Sequence, residues 1–300
     1  MDNTRVHTSS VSFVSDLKEI TKMRLAVSVV FSSVAGYFLG ADNVDLLTVI
    51  MLAVGGYCLV GASNAYNQII EKDLDLLMDR TRNRPVPSGR MSINMAFFIA
   101  SALTISGLVI LYLINPRTAM FGAISIFLYV SVYTPLKTKT PLSVFAGAFP
   151  GAIPFMLGWV AATGSFGIEP GTLFMVQFFW QFPHFWALGW WLYDDYEKGG
   201  FFMLPTGKKD KGTAVQIVLY TVWTILVSLI PAFGMTGKLY ITPLSAVLVL
   251  LLGLVMLYHA IQLYRKRDGK SAKKLMLASV SYITLLQIIY VLDKLIRVWI

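Results

Sequence analysis

Apolar stretches of roughly twenty residues, each long enough to cross about 30 Å of hydrocarbon, recur along the whole chain. Nine are readable, at residues 23–40, 46–70, 95–114, 118–133, 142–162, 172–193, 214–235, 241–263 and 275–291. The pattern predicts an all-α polytopic membrane protein, with one domain of nine transmembrane helices over 23–300. A polar segment, 1–22, precedes it. Phe13, Leu17 and Ile20 recur there at helical spacing, which predicts an amphipathic lead-in lying along the membrane interface.

Composition agrees with this picture. A chain that is 56% apolar is not an ordinary soluble domain, which runs nearer 45–50%. With an odd number of spans the two termini lie on opposite sides. Of the 25 Lys and Arg residues, only Arg117, Lys238, Lys294 and Arg297 fall on the C-terminal side. That skew places the N-terminus in the cytoplasm and the C-terminus outside, in the cell membrane. Basic loops against an anionic leaflet account for the net charge of +9, and no nucleic-acid-binding signature accompanies them. The one cysteine, Cys58, lies inside the second span, so neither a disulfide framework nor a thiolate metal site is expected. The first twenty residues lack an apolar core followed by small residues, so no cleavable signal is expected either.

Ionisable groups at membrane depth are costly and usually functional. They concentrate at the end of the second span, in the run from Asn67 to Pro85. Asn67, Glu71 and Asp75 stand four apart, so on a helix their oxygens share one stripe. Hard divalent cations take such oxygens, and Mg²⁺ in particular is held by one or two carboxylates plus substrate phosphates. Arg80 and Arg84 add fixed positive charge suited to phosphate oxygens. The local chemistry reads as a metal–diphosphate site at a membrane surface. On an unbroken helix the two arginines would point away from the stripe, and a break near Pro85 is expected to return them. Positive-inside topology is the competing account of these arginines.

A second acidic cluster, Asp194-Asp195-Tyr196-Glu197, ends the sixth span. Four crossings separate it from the first, so both emerge on the same face. This register predicts two four-helix halves in one orientation plus a ninth helix, with a binding site between the halves. Pro150 and Pro154, among small residues in the fifth span, predict a kinked helix that either packs closely or lines a cavity. His184 sits in the sixth span among Phe182, Phe185 and Trp186. An interhelical hydrogen bond and a ligand contact are both open to it, whereas His7 and His259 lack a comparable setting.

The segment Asn67, Glu71, Asp75, Arg80-Thr81, Arg84 resembles the signature of the UbiA superfamily of intramembrane prenyltransferases. Further features resemble its protoheme IX farnesyltransferase (haem O synthase) branch. These are Glu71-x-Asp73-x-Asp75, Tyr133-Thr-Pro-Leu-Lys137, the Pro/Gly pattern of the fifth span, Pro183-His184-Phe-Trp, and Asp195-Tyr196 followed by Met203-Leu-Pro205. Lys22-Met23-Arg24 departs from the usual Lys-Pro-Arg, which weakens Lys22 and Arg24 as ligands. Gly199-Gly200 and Phe155 also depart.

The resemblance implies transfer of a farnesyl group from farnesyl diphosphate to a vinyl group of haem B, with water addition, giving haem O and diphosphate. It implies Mg²⁺ on Asn67, Glu71, Asp75 and Asp195, and substrate contacts from Arg80, Arg84, Lys137, Tyr133 and His184. Lys137 is open to two readings, diphosphate neutraliser or interfacial anchor. His184 is placed on the haem, at the iron or a propionate. Asp73, Asp79 and Asp194 are unassigned. The implied partners are the two substrates, the lipid bilayer and a downstream haem-modifying membrane enzyme. An aromatic prenyltransferase of the quinone pathway is the rival within the class. A non-catalytic haem-handling protein or transporter is the rival outside it.

Overall fold

The computed structural model describes residues 12–299, in which every regular element is helical. A short helix, α1 (Phe13–Ile20), leads into α2 (Met23–Gly40) and α3 (Leu46–Ile70). A single turn, α4 (Lys72–Asp75), and a folded loop then reach α5 (Ile93–Ile114). The fourth segment is composite: α6 (Pro116–Phe127), a π-helical stretch Leu128–Tyr133, and the turn α7 (Thr134–Leu136). After it come α8 (Ser143–Thr163), α9 (Ile168–Trp191), the short α10 (Tyr193–Lys198), α11 (Lys211–Leu229), α12 (Pro243–Lys266) and α13 (Gly269–Trp299).

Among the described residues, eight segments are both long and apolar enough to span a bilayer. The ninth expected span, α9, has 24 residues, about 36 Å. It is less apolar because it carries Glu169, Gln177, Gln181 and His184, and both glutamines are buried against neighbours. Polar residues mark many helix starts. Asp45 accepts from Leu47 and Thr48, Ser92 from Met95, Asn115 from Thr118, and Asp210 from Thr213.

Of the spanning helices α8 is the most enclosed. It packs on α2, α6 and α9, while α13 packs on α12, α9 and α2. The α2–α8 seam depends on glycine. A Cβ on Gly158 would overlap the Ser33 carbonyl oxygen, and one on Gly36 would overlap the Phe155 carbonyl. Such close backbone approach is how small residues join helices in lipid.

α8 stays continuous through both prolines, and a side chain takes up the carbonyl that Pro154 frees. Pro154 has no N–H, and the released Pro150 carbonyl accepts from Ser125 Oγ at 3.3 Å. From α9, Gln181 Nε2 donates to the Ala148 carbonyl at 2.9 Å, and Gln177 Oε1 accepts the Phe155 N–H at 3.2 Å.

Of the polar lead-in, residues 12–22 are described. Ile20 is buried, Leu17 is packed against the α3–α5 core and Phe13 is exposed. Arg5 and His7 lie outside the described residues.

Candidate active site

The site forms where α3, α7 and α9 end and α2 begins. The α3 helix stops at Ile70 because Glu71 leaves helical geometry (φ −95°, ψ 11°). The i,i+4 register survives the break: Glu71 N–H donates to the Asn67 carbonyl at 2.9 Å, and Asp75 N–H to the Glu71 carbonyl at 2.7 Å. Asn67, Glu71 and Asp75 therefore stay in line, and all three are buried. A matching break at Leu192 (φ −103°, ψ 20°) separates α9 from α10, so each half carries its acidic cluster one turn past a broken helix.

The break that matters lies at Glu71, earlier in the chain than the expected one near Pro85. Residues 76–91 form successive turns that fold back, placing Arg84 NH1 2.8 Å from Asp75 Oδ2. Thr81 Oγ1 donates to the Asp75 carbonyl at 2.8 Å and pins the returning loop. Asp75 Oδ1 is sealed and has no hydrogen-bond partner. Such an orphaned carboxylate oxygen marks a place for a cation or a proton.

Lys137 reaches in from the end of α7, its Nζ 2.6 Å from Glu71 Oε1, with both side chains almost fully buried. This contact is an ion pair without good hydrogen-bond geometry. The same Nζ lies over the rings of Tyr133 (4.7 Å) and Phe201 (5.5 Å). The π-helical stretch sets this approach, since π turns shift the register of everything after them. Thr134 Oγ1 bonds five residues back, to the Tyr129 carbonyl, and receives Asn67 Nδ2 at 3.4 Å. Gly147 on α8 leaves room for the Tyr133 ring, which an added Cβ would meet at 2.6 Å.

Asp195 and Arg80 join at the rim. Asp195 Oδ1 accepts the Asp79 amide at 2.8 Å, and Oδ2 the Arg80 amide at 3.5 Å. Arg80 NH2 donates to Tyr196 Oη at 2.9 Å. Lys198 bonds Asp79 and stands 3.8 Å from Asp195; its ammonium holds the Asp79 carboxyl below the usual carboxylate range. The two acidic clusters thus meet at one end of the bundle. Asp73 is exposed, Asp194 pairs with Lys209, and Asp79 pairs outward with Lys198 and Arg82. His184 lies deeper, on α9, about two turns before that helix breaks at Leu192.

Four contributors were not singled out from sequence: Thr134, Tyr196, Phe201 and Lys22. The first three stand inside or beside the quoted motifs, so the signal was present. Lys22 was discounted because Met23 beside it departs from the usual Lys-Pro-Arg, yet the fold turns Lys22 into the cluster. It adopts a left-handed conformation (φ 46°) between α1 and α2. Asn64 and Gln68 of α3 clamp that turn by donating to the Thr21 and Ile20 carbonyls. Burial, then the positive charges of Arg84 and Lys137, push the Lys22 ammonium down to about 7. It has no ion-pair partner among the described residues.

Among the described residues no three His, Cys, Asp or Glu side chains converge on one metal position. What is assembled is an oxygen stripe with one orphaned carboxylate oxygen, ringed by Lys22, Arg80, Arg84 and Lys137. That arrangement suits a polyanion that brings further oxygen ligands with it.

Comparisons with known proteins identify the fold and the family. A protoheme IX farnesyltransferase from Christiangramia forsetii is 76% identical over 300 residues, covering all of both chains. Among solved structures, a digeranylgeranylglyceryl phosphate synthase superposes with a TM-score of 0.77 at 16% identity, over 93% of this chain and 98% of that one. A UbiA homologue from Archaeoglobus fulgidus, bound to GPP and Mg²⁺, gives 0.68 at 13% identity, over 92% and 99%. Residues 29–285 match the UbiA prenyltransferase family, and the chain belongs to that family.

Proposed function

We propose that the protein transfers the farnesyl group of farnesyl diphosphate to a vinyl group of haem B, with addition of water, giving haem O and diphosphate. The single observation that carries the reading is the buried Asn67–Glu71–Asp75 stripe, with Arg84 and Lys137 drawn onto it, in a chain 76% identical to a protoheme IX farnesyltransferase. Arg80, Arg84, Lys137 and Lys22 bind the diphosphate and stabilise the negative charge that grows on it as the C1–O bond breaks. Preorganised charge at a departing anion supplies several kcal/mol in a water-poor site. The vinyl π electrons then attack farnesyl C1, and water captures the resulting porphyrin-stabilised cation and loses a proton. Tyr133 and His184 line the acceptor side.

The donor set fits a magnesium ion. Asn67, Glu71, Asp75 and Asp195 offer hard oxygens, Asp75 Oδ1 is orphaned, and the remaining ligands would be phosphate oxygens and water. Bound there, Mg²⁺ would add positive charge to the leaving group. The cytoplasmic leaflet is the side where both substrates' charged ends meet the basic loops. The N-terminal side lies there, with residues 12–22 along the interface, and the C-terminal side is outside. Haem O then passes to a haem-modifying membrane enzyme.

Purified protein incubated with haem B, farnesyl diphosphate and Mg²⁺ should yield a heavier, more retained porphyrin and one diphosphate per turnover. A phenolic acceptor consumed in place of haem would favour the quinone-pathway rival. Binding without diphosphate release would favour a carrier.

Lys22 gives the site a pH dependence. Its folded-state pKa, about 7, lies below the ordinary lysine value of 10.5. Below pH 7 the ammonium is charged and ready for an anion. Between 7 and 10.5 the free protein has lost that proton, and diphosphate binding must recover it. Affinity for inorganic diphosphate should therefore fall as pH rises from 7, and Lys22→Arg should flatten the decline. Titrations of both proteins from pH 6.5 to 9 test this, and parallel curves would remove Lys22 from the site.

A further inference from the structure

The helices α12 and α13 run antiparallel, packed together, and meet in a tight corner at the end of the bundle that holds both acidic clusters. Arg267, in a left-handed conformation (φ 51°), ends α12, and Asp268 opens α13 by accepting the Ser271 N–H at 2.6 Å. Lys273 ties the corner to α9, its ammonium lying over the Trp191 ring at 4.7 Å. Beneath the corner the two helices part on their outer side, where Val255 and Leu277 are exposed, and leave a groove of about 450 Å³.

Spacing along each helix shapes this groove. Leu252, Val255 and His259 line it from α12, and Lys274, Leu277, Ala278 and Ser281 from α13, at intervals of three and four that keep each set on one face. Ala278 and Ser281 are too small to fill the space beside Val255 and Leu252, and the buried Tyr282 forms the floor. Polarity is graded with depth. His259 and Lys274 stand about 10 Å and about 8 Å below the ends of their helices, so both lie at the upper end. Leu252 lies about 10 Å deeper, where Ser281 is the one polar neighbour.

Charge above the groove has one sign. Lys266 follows His259 by two turns and Lys270 precedes Lys274 by one, so the two exposed lysines stand over the same two faces. Among the described residues Lys266, Lys270 and Lys274 have no ion-pair partner. No carboxylate lines the groove, and Asp268 above it is engaged as the cap of α13. Positive-inside topology accounts for lysines in this loop, but it calls for neither a groove beneath them nor a histidine within it.

We propose that this groove binds one anionic phospholipid, with the headgroup phosphate on Lys274 and His259 and an acyl chain descending past Val255 and Leu277 to Leu252. Basic pockets between spanning helices take anionic headgroups where basic loops meet an anionic leaflet. The Lys274 ammonium and a ring N–H of His259 both donate to phosphate oxygens. An anionic lipid is selected over a zwitterionic one because a choline or ethanolamine group would meet Lys266 and Lys270 and find no carboxylate. The bound lipid fastens the α12–α13 corner, and through Lys273 the end of α9, to the leaflet. None of the lining residues belongs to the candidate active site, so the proposal does not depend on which acceptor that site takes.

The test uses full-length protein, stripped of lipid in detergent and titrated separately with dioleoyl phosphatidylglycerol and dioleoyl phosphatidylcholine. Native mass spectrometry counts the bound lipid, and thermal unfolding is recorded in parallel. Wild type should bind one phosphatidylglycerol about tenfold more tightly than phosphatidylcholine, and should unfold at a higher temperature with it. His259→Gln combined with Lys274→Gln should bring the two lipids within about twofold of each other. Ser281→Leu keeps every charge but fills the groove, and should weaken phosphatidylglycerol by about tenfold. Lys238→Gln, at the opposite end of the bundle, is the control and should keep the wild-type preference. Inorganic phosphate should not raise the unfolding temperature, and farnesyl diphosphate should not displace the lipid. If the double variant fails to fold, Ser281→Leu and the single, exposed Lys274→Gln decide. Equal affinity of wild type for both lipids reduces the groove to ordinary lipid contact and overturns the proposal. An undiminished preference in the Lys274 variants, wild-type affinity in Ser281→Leu, stabilisation by phosphate alone or displacement by farnesyl diphosphate overturns it as well.

Discussion

Asp75→Asn should lower the rate of diphosphate release at least a thousandfold while the protein stays folded. At about 1.4 kcal/mol per tenfold, that is a loss of about 4 kcal/mol of transition-state stabilisation. The side chain is fully buried, gives Oδ2 to Arg84 at 2.8 Å and keeps Oδ1 unpartnered. Asparagine preserves the shape, removes the charge and turns an N–H₂ towards either Arg84 or the empty side. The backbone bonds Asp75 N–H to Glu71 and Thr81 Oγ1 to the Asp75 carbonyl do not involve the carboxylate, so α4 survives. Some stability is lost because Arg84 loses its counter-ion, although its partial exposure limits the cost. Asp73→Asn, at an exposed neighbour, is the control and should stay within about threefold. Turnover in Asp75→Asn at the wild-type rate would mean that the oxygen stripe does not carry the chemistry.

Gly158→Ala should be the most damaging single methyl in the bundle. The added carbon would occupy the position of the Ser33 carbonyl oxygen, with the Tyr37 amide also inside contact distance. Only separation of α2 from α8 relieves the overlap, because both neighbours are backbone. Overpacking of this kind costs about 1–3 kcal/mol, and more where nothing can yield. Activity should fall with stability, since α2 carries Lys22 and α8 supports Tyr133. Gly171→Ala on α9 is the comparison: nothing lies within 4 Å of the added carbon, and helix propensity favours alanine by about 1 kcal/mol. Thermal unfolding in detergent should place the two variants on opposite sides of wild type. A Gly158→Ala melting temperature equal to wild type would show that the seam is looser than its glycines require.

Asn67, Glu71 and Asp75 were legible as one stripe because a four-residue spacing survives even where the helix breaks. The break itself was not legible. Nothing local in Ile70-Glu71-Lys72 signals a stop, and the prolines pointed to residue 85 instead. Arg84 was placed correctly by chemistry but for the wrong bend. Lys137 had two readings that charge alone could not separate; the π-helical register of Leu128–Tyr133 turns it inward, onto Glu71. Lys22 was discounted on its neighbours in sequence, whereas its left-handed turn is imposed by Asn64 and Gln68 from another helix.

The sequence alone determined that this chain lives in a bilayer and where its helices run, and it singled out the candidate residues for metal and phosphate. Those properties follow from transfer free energies and side-chain chemistry, which are local. The tertiary structure decided which charges meet, where the helices break and what His184 packs against. Those depend on contacts between residues far apart in the chain, such as Arg84 with Asp75, Lys137 with Glu71 and His184 with Ser279. Packing in three dimensions sets such contacts, and no local pattern encodes them.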